Sequence, residues 1–363
     1  MQVPMTTQPS DPQRLTFTDA ELLDSGNYEA PLIAGGVRCH GGFDATGAYR
    51  SPRTLHRGPA VAAWQARLAR DGHALVTVPA ALMPPQYPNV AQAKLLLRNG
   101  VRDPIVRTLT IVSIVEGFGA IIRDVRVPKL AECFVEPLEG TALDHLGRGL
   151  FEAHARDEAG WREEGGHKQM WEAARDLALE KPKIPADVMM RMMGRMGGGR
   201  GAPAERPYPM LDPTLERMLA MMAQVMVVEV FAEGTFQWGV DLLSDPEVSA
   251  APEAAGDMVR HIQSDEKPHV EYLRTALSET RARTLRTVDG KTIAGREVVD
   301  GLMHRILRTI TRDRPRDQRE DLRASFTEAM KGVASPQRLI EEFDALESKW
   351  APPERTGFEP IAA

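Results

Sequence analysis

Cysteine is nearly absent from this chain of 363 residues, which holds only Cys39 and Cys133. Two thiols build no disulfide framework, and that fits a reducing compartment. A strong excess of one charge is also lacking. The net charge is -6 and the lysines and arginines are scattered, so nothing favours a nucleic-acid partner. The first thirty residues are polar and hold no apolar signal core. Apolar runs reach about fourteen residues, short of a membrane span, and the best of them contain glutamate. Strand signals are few. The expectation is a soluble, cytoplasmic, all-α chain, long enough to bury a sizeable core.

Helical signals are plentiful. Residues 1–57, rich in Pro, Gly, Ser and Thr, read as an irregular arm, and residues 1–103 together as that arm plus short helices at 58–70 and 90–98, with a brief strand at 75–78 between them. Asp103-Pro104 opens a long apolar helix that runs to about Phe134, and a second runs from about Ala142 to Glu180. Asp212-Pro213 caps a third, which ends at Asp245-Pro246, and a fourth spans about 252–280. Residues 104–280 are thus expected to form a four-helix bundle, with a Gly- and Met-rich crossover at 181–213. Residues 281–363 supply a small hairpin near 287–292, then accessory helices near 294–312, 315–332 and 336–348. Within the crossover, Met189, Met190, Met192, Met193 and Met196 precede Gly197-Gly198-Gly199. This segment reads either as a plain linker or as a lid over a substrate entrance.

The chemistry sits in four places. Glu266 and His269 are three apart, so on a helix they share one face and can grip a metal ion together. Glu164 and His167 repeat that spacing upstream. Glu116 lies mid-way along an apolar run, and Glu229 and Glu233 lie in another. A carboxylate buried among Ile, Val, Phe and Met costs several kcal/mol unless something compensates it, and a cation compensates well. In chain order this gives Glu, Glu-x-x-His, Glu, Glu-x-x-His, the recipe of a carboxylate-bridged two-metal site within a helix bundle. The plainer alternatives are an arginine partner for each buried Glu and a solvated face for Glu164-Gly165-Gly166-His167. Glu158 rivals Glu164, because Asp157 to Arg162 and Glu163 to Lys168 look like two copies of one hexapeptide; Glu164 is preferred because its copy carries the His. Glu229 and Glu233 stay open as alternatives or as a pair. Asp265 is placed to orient a ligating imidazole.

At these residues the chain resembles the ferritin-like di-iron carboxylate superfamily, with its nearest echo in the soluble fatty-acyl desaturases and related oxygenases. Asp265-Glu266-Lys267-Pro268-His269 is similar to their Asp-Glu-Lys-Arg-His box. Trp161-Arg162-Glu163-Glu164-Gly165-Gly166-His167 is similar to their Glu-Glu-Asn-Arg-His box, and Phe231-Ala232-Glu233 to the segment that carries their third-helix ligand. Glu116 and Glu164 stand 48 apart (164 − 116), longer than usual, which leaves Asp124 and Glu132 as rivals to Glu116. The resemblance implies a ferritin-like bundle with added peripheral helices. It also implies two iron ions held by Glu116, Glu164, His167, Glu229 and/or Glu233, Glu266 and His269. A manganese–iron pair accepts the same ligands.

The activity implied is oxidation of a small or carrier-bound organic substrate by O₂, through hydroxylation, desaturation or N-oxygenation. An external, ferredoxin-type electron donor and a homodimer belong to the same expectation. Iron oxidation and storage, or a metal-free interaction role on the same fold, are the competing readings.

Overall fold

The structure, a computed structural model, describes residues 14–184, 206–313, 315–351 and 354–359. The lid expected at 189–213 falls largely on 185–205, outside the described residues. The chain is mostly helical.

The N-terminal region departs from the expected irregular arm. After a capped turn of helix α1 (Asp19–Leu22), strands β1 (Ala30–Ala34), β2 (Val37–Phe43) and β3 (Tyr49–Arg50) form an antiparallel sheet in that order. The β1–β2 hairpin pairs Ala34 with Val37 across Gly35-Gly36, both at positive φ. Two such glycines make the turn whose twist matches paired strands. Helix α2 is Arg57–Arg70. The strand expected at 75–78 is absent; that segment is held instead by Val76 N–H donating to Ser278 Oγ. Helix α3 (Val90–Arg98) starts at an Asn89–Gln92 capping box.

The two long helices expected first are both interrupted. Helix α4 is Asp103–Gly119; a 3₁₀ turn over Ala120–Asp124 and a one-turn helix α5 (Leu130–Cys133) follow it. At Gly119 a β-carbon would lie 2.6 Å from Glu158 Cγ, so glycine here lets a neighbouring carboxylate cross close to the helix. The second helix is split into α6 (Glu152–Ala159) and α7 (His167–Ala178). Gly160 ends α6 at φ 84°, and Trp161 and Glu164 close a tight turn. A β-carbon on Gly166 would lie 2.4 Å from the Asp157 carbonyl oxygen. The glycine pair therefore sits in a short excursion that interrupts one helical line, since α6 and α7 both run antiparallel to α4, with Glu158 beside Gly119 and Arg175 bonded to Thr110.

Helices α8 (Pro213–Leu243) and α9 (Pro252–Arg281) are the longest, and they pack along each other. Helix α9 also packs on α7, and α4 lies against α6 and α7. A hairpin of β4 (Thr284–Arg286) and β5 (Thr292–Ala294) leads to α10 (Gly295–Arg308), which packs on α8 and α9. Helices α11 (Pro315–Met330) and α12 (Pro336–Ala345) close the chain, α11 reaching α4.

The apolar core comes in two parts. One gathers Met218 to Val227 of α8 with Tyr272 to Leu277 of α9, and the other gathers Phe236 to Leu243 with Ala255 to Ile262. Glu229, Glu266 and His269 fall between the two parts, in a polar layer.

By length and composition, Asp103–Asp124 and Pro213–Leu243 could each cross a membrane, which corrects the expectation that every apolar run is too short. Both carry a mid-helix carboxylate, Glu116 or Glu229, that is buried against the rest of the protein.

Asp212 caps α8, its carboxylate accepting from the Thr214 and Leu215 amides at 2.9 and 3.0 Å. Asp212→Ala should lower unfolding free energy by about 1 kcal/mol, read by denaturant titration; an unchanged midpoint would mean that the cap contributes nothing.

Candidate metal centre

Seven buried side chains converge in the polar layer. Glu116 comes from α4, His154 and Glu158 from α6, His167 from the first turn of α7, Glu229 from α8, and Glu266 and His269 from α9. They form two groups that could each hold a metal ion: His154, Glu158, Glu229 and His269, and Glu116, Glu158, His167 and Glu266. Glu158 belongs to both. Its Oε1 lies 3.2 Å from His269 Nδ1 and 3.5 Å from His154 Nε2, while its Oε2 lies 3.4 Å from His167 Nδ1. Glu266 is divided in the same way, with Oε1 2.8 Å from His167 Nδ1 and Oε2 2.7 Å from His269 Nδ1. His154 Nε2 lies 3.2 Å from Glu229 Oε1, and His167 Nδ1 lies 3.7 Å from Glu116 Oε2. Two carboxylates thus span two sites.

Each imidazole uses its far nitrogen to hold its orientation. His269 Nε2 is 2.9 Å from Asp157 Oδ2, and His167 Nε2 is 3.5 Å from Asp265 Oδ2. His154 Nδ1 is 3.0 Å from the Tyr272 hydroxyl, and its ring stacks on that of His269 at 3.8 Å. Asp265 accepts from Tyr49 O–H at 2.7 Å, and Tyr49 stacks on His261. Asp157 accepts from Arg53 Nε at 2.7 Å and from Arg57 at 2.8 Å, both arginines being buried. Carboxylates behind ligating imidazoles fix the ring and raise its basicity.

The expected residues are not all brought together. Glu164 lies in the α6–α7 turn, where Gly165 pairs with Cys39 of β2, and its carboxylate reaches Arg38 Nε at 3.0 Å and His40 Nδ1 at 3.3 Å. The break between α6 and α7 carries it away from the cluster to the β2 side chains, and Glu158 stands where Glu164 was expected. Glu233 is exposed and accepts from Gln263 at 2.6 Å. One helical turn beyond Glu229 it has rotated by about 40°, out of the layer. Asp124 is exposed and Glu132 pairs with Lys129, which leaves Glu116 as the α4 carboxylate. His154 had no part in the sequence reading, although His154 and Glu158 share a helix face at the i,i+4 spacing.

The donor set fits a pair of metal ions. His154 Nε2, Glu158 Oε1, Glu266 Oε1 and His167 Nδ1 are buried and lack a well-directed hydrogen bond, although charged atoms surround them. Nitrogen and oxygen donors gathered about common points are what a first-row cation requires.

Burial pushes Glu116 well above the usual carboxylate range and Glu229 up to about 7, with the negative charges of Glu158 and Glu266 adding to the rise in both. Burial and Glu158 also oppose ionisation of Glu266, but His167 and His269 outweigh them and hold it at about 2. Burial likewise opposes ionisation of Glu158, and His167 is the leading charge that holds it well below its ordinary value. Four carboxylates at this density are not all ionised without added positive charge.

This has a pH consequence for the metal-free protein. The folded value of Glu229, about 7, lies above its ordinary 4.5, so the native state holds that proton more tightly. The stability involved is complete below about 4.5 and is lost as pH rises through about 7. In chelator, Tm should fall by a few degrees between these limits; Glu229→Gln should flatten the slope, and divalent metal should abolish it. A slope unchanged by both would refute the assignment. No protein-family model, curated protein or solved structure matches the chain.

Proposed function

We propose that this protein is an O₂-dependent oxidase or oxygenase of the ferritin-like di-iron type, acting on a small organic substrate in a cytoplasmic setting. The observation that carries this reading is the sharing of Glu158 and Glu266 between two groups of donors. His154, Glu229 and His269 would complete one metal site, and Glu116 and His167 the other. Two iron ions bound there would supply the redox chemistry of O₂ activation.

The chain's own residues supply the rest. Asp157 and Asp265 hold His269 and His167 in a ligating orientation. The two apolar cores keep bulk water from the layer between them. A cleft of about 500 Å³ between α4 and α8 reaches Glu116, Glu158 and Glu229 through mostly apolar walls. A cleft of that size admits an organic molecule. Iron traffic for storage would need a polar entrance, so the cleft favours the oxidase over the storage reading. Electrons for a catalytic cycle would come from an external donor.

Anaerobic loading with ferrous iron should give two ions per chain by elemental analysis. Glu158→Ala and His154→Ala should each lose at least one ion and keep their helical content, while Glu164→Ala and Glu233→Ala should keep both. Equal occupancy in all four variants would remove the assignment.

Exposing the loaded protein to O₂ should consume the gas and oxidise the iron, with Glu158→Ala slowed at least about tenfold. Ferrous iron that stays unoxidised in aerated protein would sink the oxidase reading.

A further inference from the structure

Glu279 follows His269 on α9 by ten residues (279 − 269), roughly 15 Å along the helix axis. There the chain encloses a second cavity, of about 220 Å³, between α2, residues 136–141 and the end of α9. None of the seven residues of the metal centre lines it. Pockets for drug-sized ligands run to roughly 300–1,000 Å³, so the occupant of this one is small.

Two guanidinium groups line the cavity. Arg67 is anchored through Nη1, which donates to the Glu139 and Gly140 carbonyls at 3.0 and 3.2 Å. Arg283 donates through Nη1 to the Glu279 carbonyl at 2.8 Å, but its Nε is buried and has no hydrogen-bond partner among the described residues. A buried donor left unpaired is costly, and a ligand acceptor would relieve it. Burial pulls Arg283 below its ordinary value, and the charges that act on it are Glu279, Arg67, Glu136 and Asp71, all residues of the cavity. The acids differ in what they have left to offer. Glu279 is committed, since its two oxygens accept from the Ala142 and Leu143 amides at 3.1 Å each, and burial pushes its carboxyl up to about 7. Burial opposes the charge of Glu136 as well, but the Thr284 amide, at 2.8 Å from its Oε2, prevails and holds it below its ordinary value. Trp64 and Leu68 supply apolar wall, the indole N–H being already given to the Leu15 carbonyl at 2.8 Å.

We infer that this cavity binds a small zwitterion, a free α-amino acid with an apolar side chain. Its carboxylate would bond Arg67 and Arg283, its ammonium group Glu136, and its side chain would lie against Trp64 and Leu68. Guanidinium groups and a carboxylate in one small space select for a ligand that carries both signs. A simple anion would bring its charge beside Glu136 and Asp71, and a simple cation would meet two guanidiniums. Only a molecule with both charges pairs each of them. The site is separate from the metal centre and does not depend on the oxidase reading.

The test titrates the full-length, metal-loaded protein with glycine, L-alanine and L-leucine, by calorimetry and by the rise in Tm that a ligand of the native state produces. L-Leucine should bind with a Kd of about 1 mM or lower, and affinity should increase from glycine to leucine as more apolar surface is covered. N-Acetyl-L-leucine, which keeps only the negative charge, and L-leucinamide, which keeps only the positive one, should each bind at least about tenfold more weakly. Equal or tighter binding of either capped form would overturn the zwitterion class. Neither heat nor a Tm shift with any of the three amino acids at about 10 mM would overturn the site itself. Arg67→Met should weaken L-leucine at least about tenfold with metal content unchanged, and undiminished affinity in that variant would place the ligand elsewhere. Glu136→Gln, which keeps an acceptor for the Thr284 amide, is the second variant, should the first fail to fold. It should bring N-acetyl-L-leucine level with L-leucine, a change of preference that a merely structural role would not produce. An unchanged preference there would refute the assignment of the ammonium group to Glu136 and with it the proposed site.

Discussion

The interaction on which the rest of the structure depends is the mutual repulsion of four buried carboxylates. Glu116, Glu158, Glu229 and Glu266 lie within one layer between two apolar cores, where water screens them little. Behind them the formal charges balance as a set: Asp157 faces the guanidinium groups of both Arg53 and Arg57, and Asp265 accepts from the Tyr49 hydroxyl. What remains is the four carboxylates themselves, formally matched by two divalent cations. The histidines supply donors without altering that balance if they stay neutral. Protonated, they would compete with metal for the same carboxylate oxygens, as the close approaches of His167 and His269 to Glu266 illustrate.

Much of this was legible in the sequence, and the parts that were not have physical causes. Glu266 and His269 could be read because they sit in an uninterrupted helix, where a three-residue spacing fixes geometry. Glu116 and Glu229 could be read because an acid in an apolar run is costly unless it is used. The choice of Glu164 over Glu158 failed because spacing fixes geometry only while the helix lasts, and Gly160, Gly165 and Gly166 end it. Those glycines were the available signal. Glu233 was favoured by resemblance, and the rotation per residue along α8 turned it away. The N-terminal sheet was missed because its strands are short, although Gly35-Gly36 between Ala34 and Val37 marks a hairpin turn. The outer network of Arg53, Arg57 and Tyr49 could not be read at all, since its partners lie a hundred or more residues away.

Helices α4 and α8 combine two kinds of work along one cleft. Helices α4 and α8 each turn a carboxylate toward the polar layer while bordering an apolar cleft. A helix that serves both must be apolar nearly all round, with one acid in the middle. That is why these segments pass a composition test for membrane spans without either being a uniform hydrocarbon surface. In such segments the single exception to the pattern carries more functional information than the pattern itself.

The contacts behind the imidazoles carry a consequence for the order in which the molecule is built. Tyr49 reaches Asp265 across 216 residues of chain, and Arg53 reaches Asp157 across 104. Closing loops of that length costs entropy before any contact repays it, so such contacts form late. During synthesis the first sixty residues emerge long before α9 exists. They must wait, without their final partners, until the helix that carries Asp265, 216 residues further on, has been made. The acidic layer is therefore complete only when the earliest and some of the latest segments have met, and a cation captured before then would be held by an unfinished set of ligands.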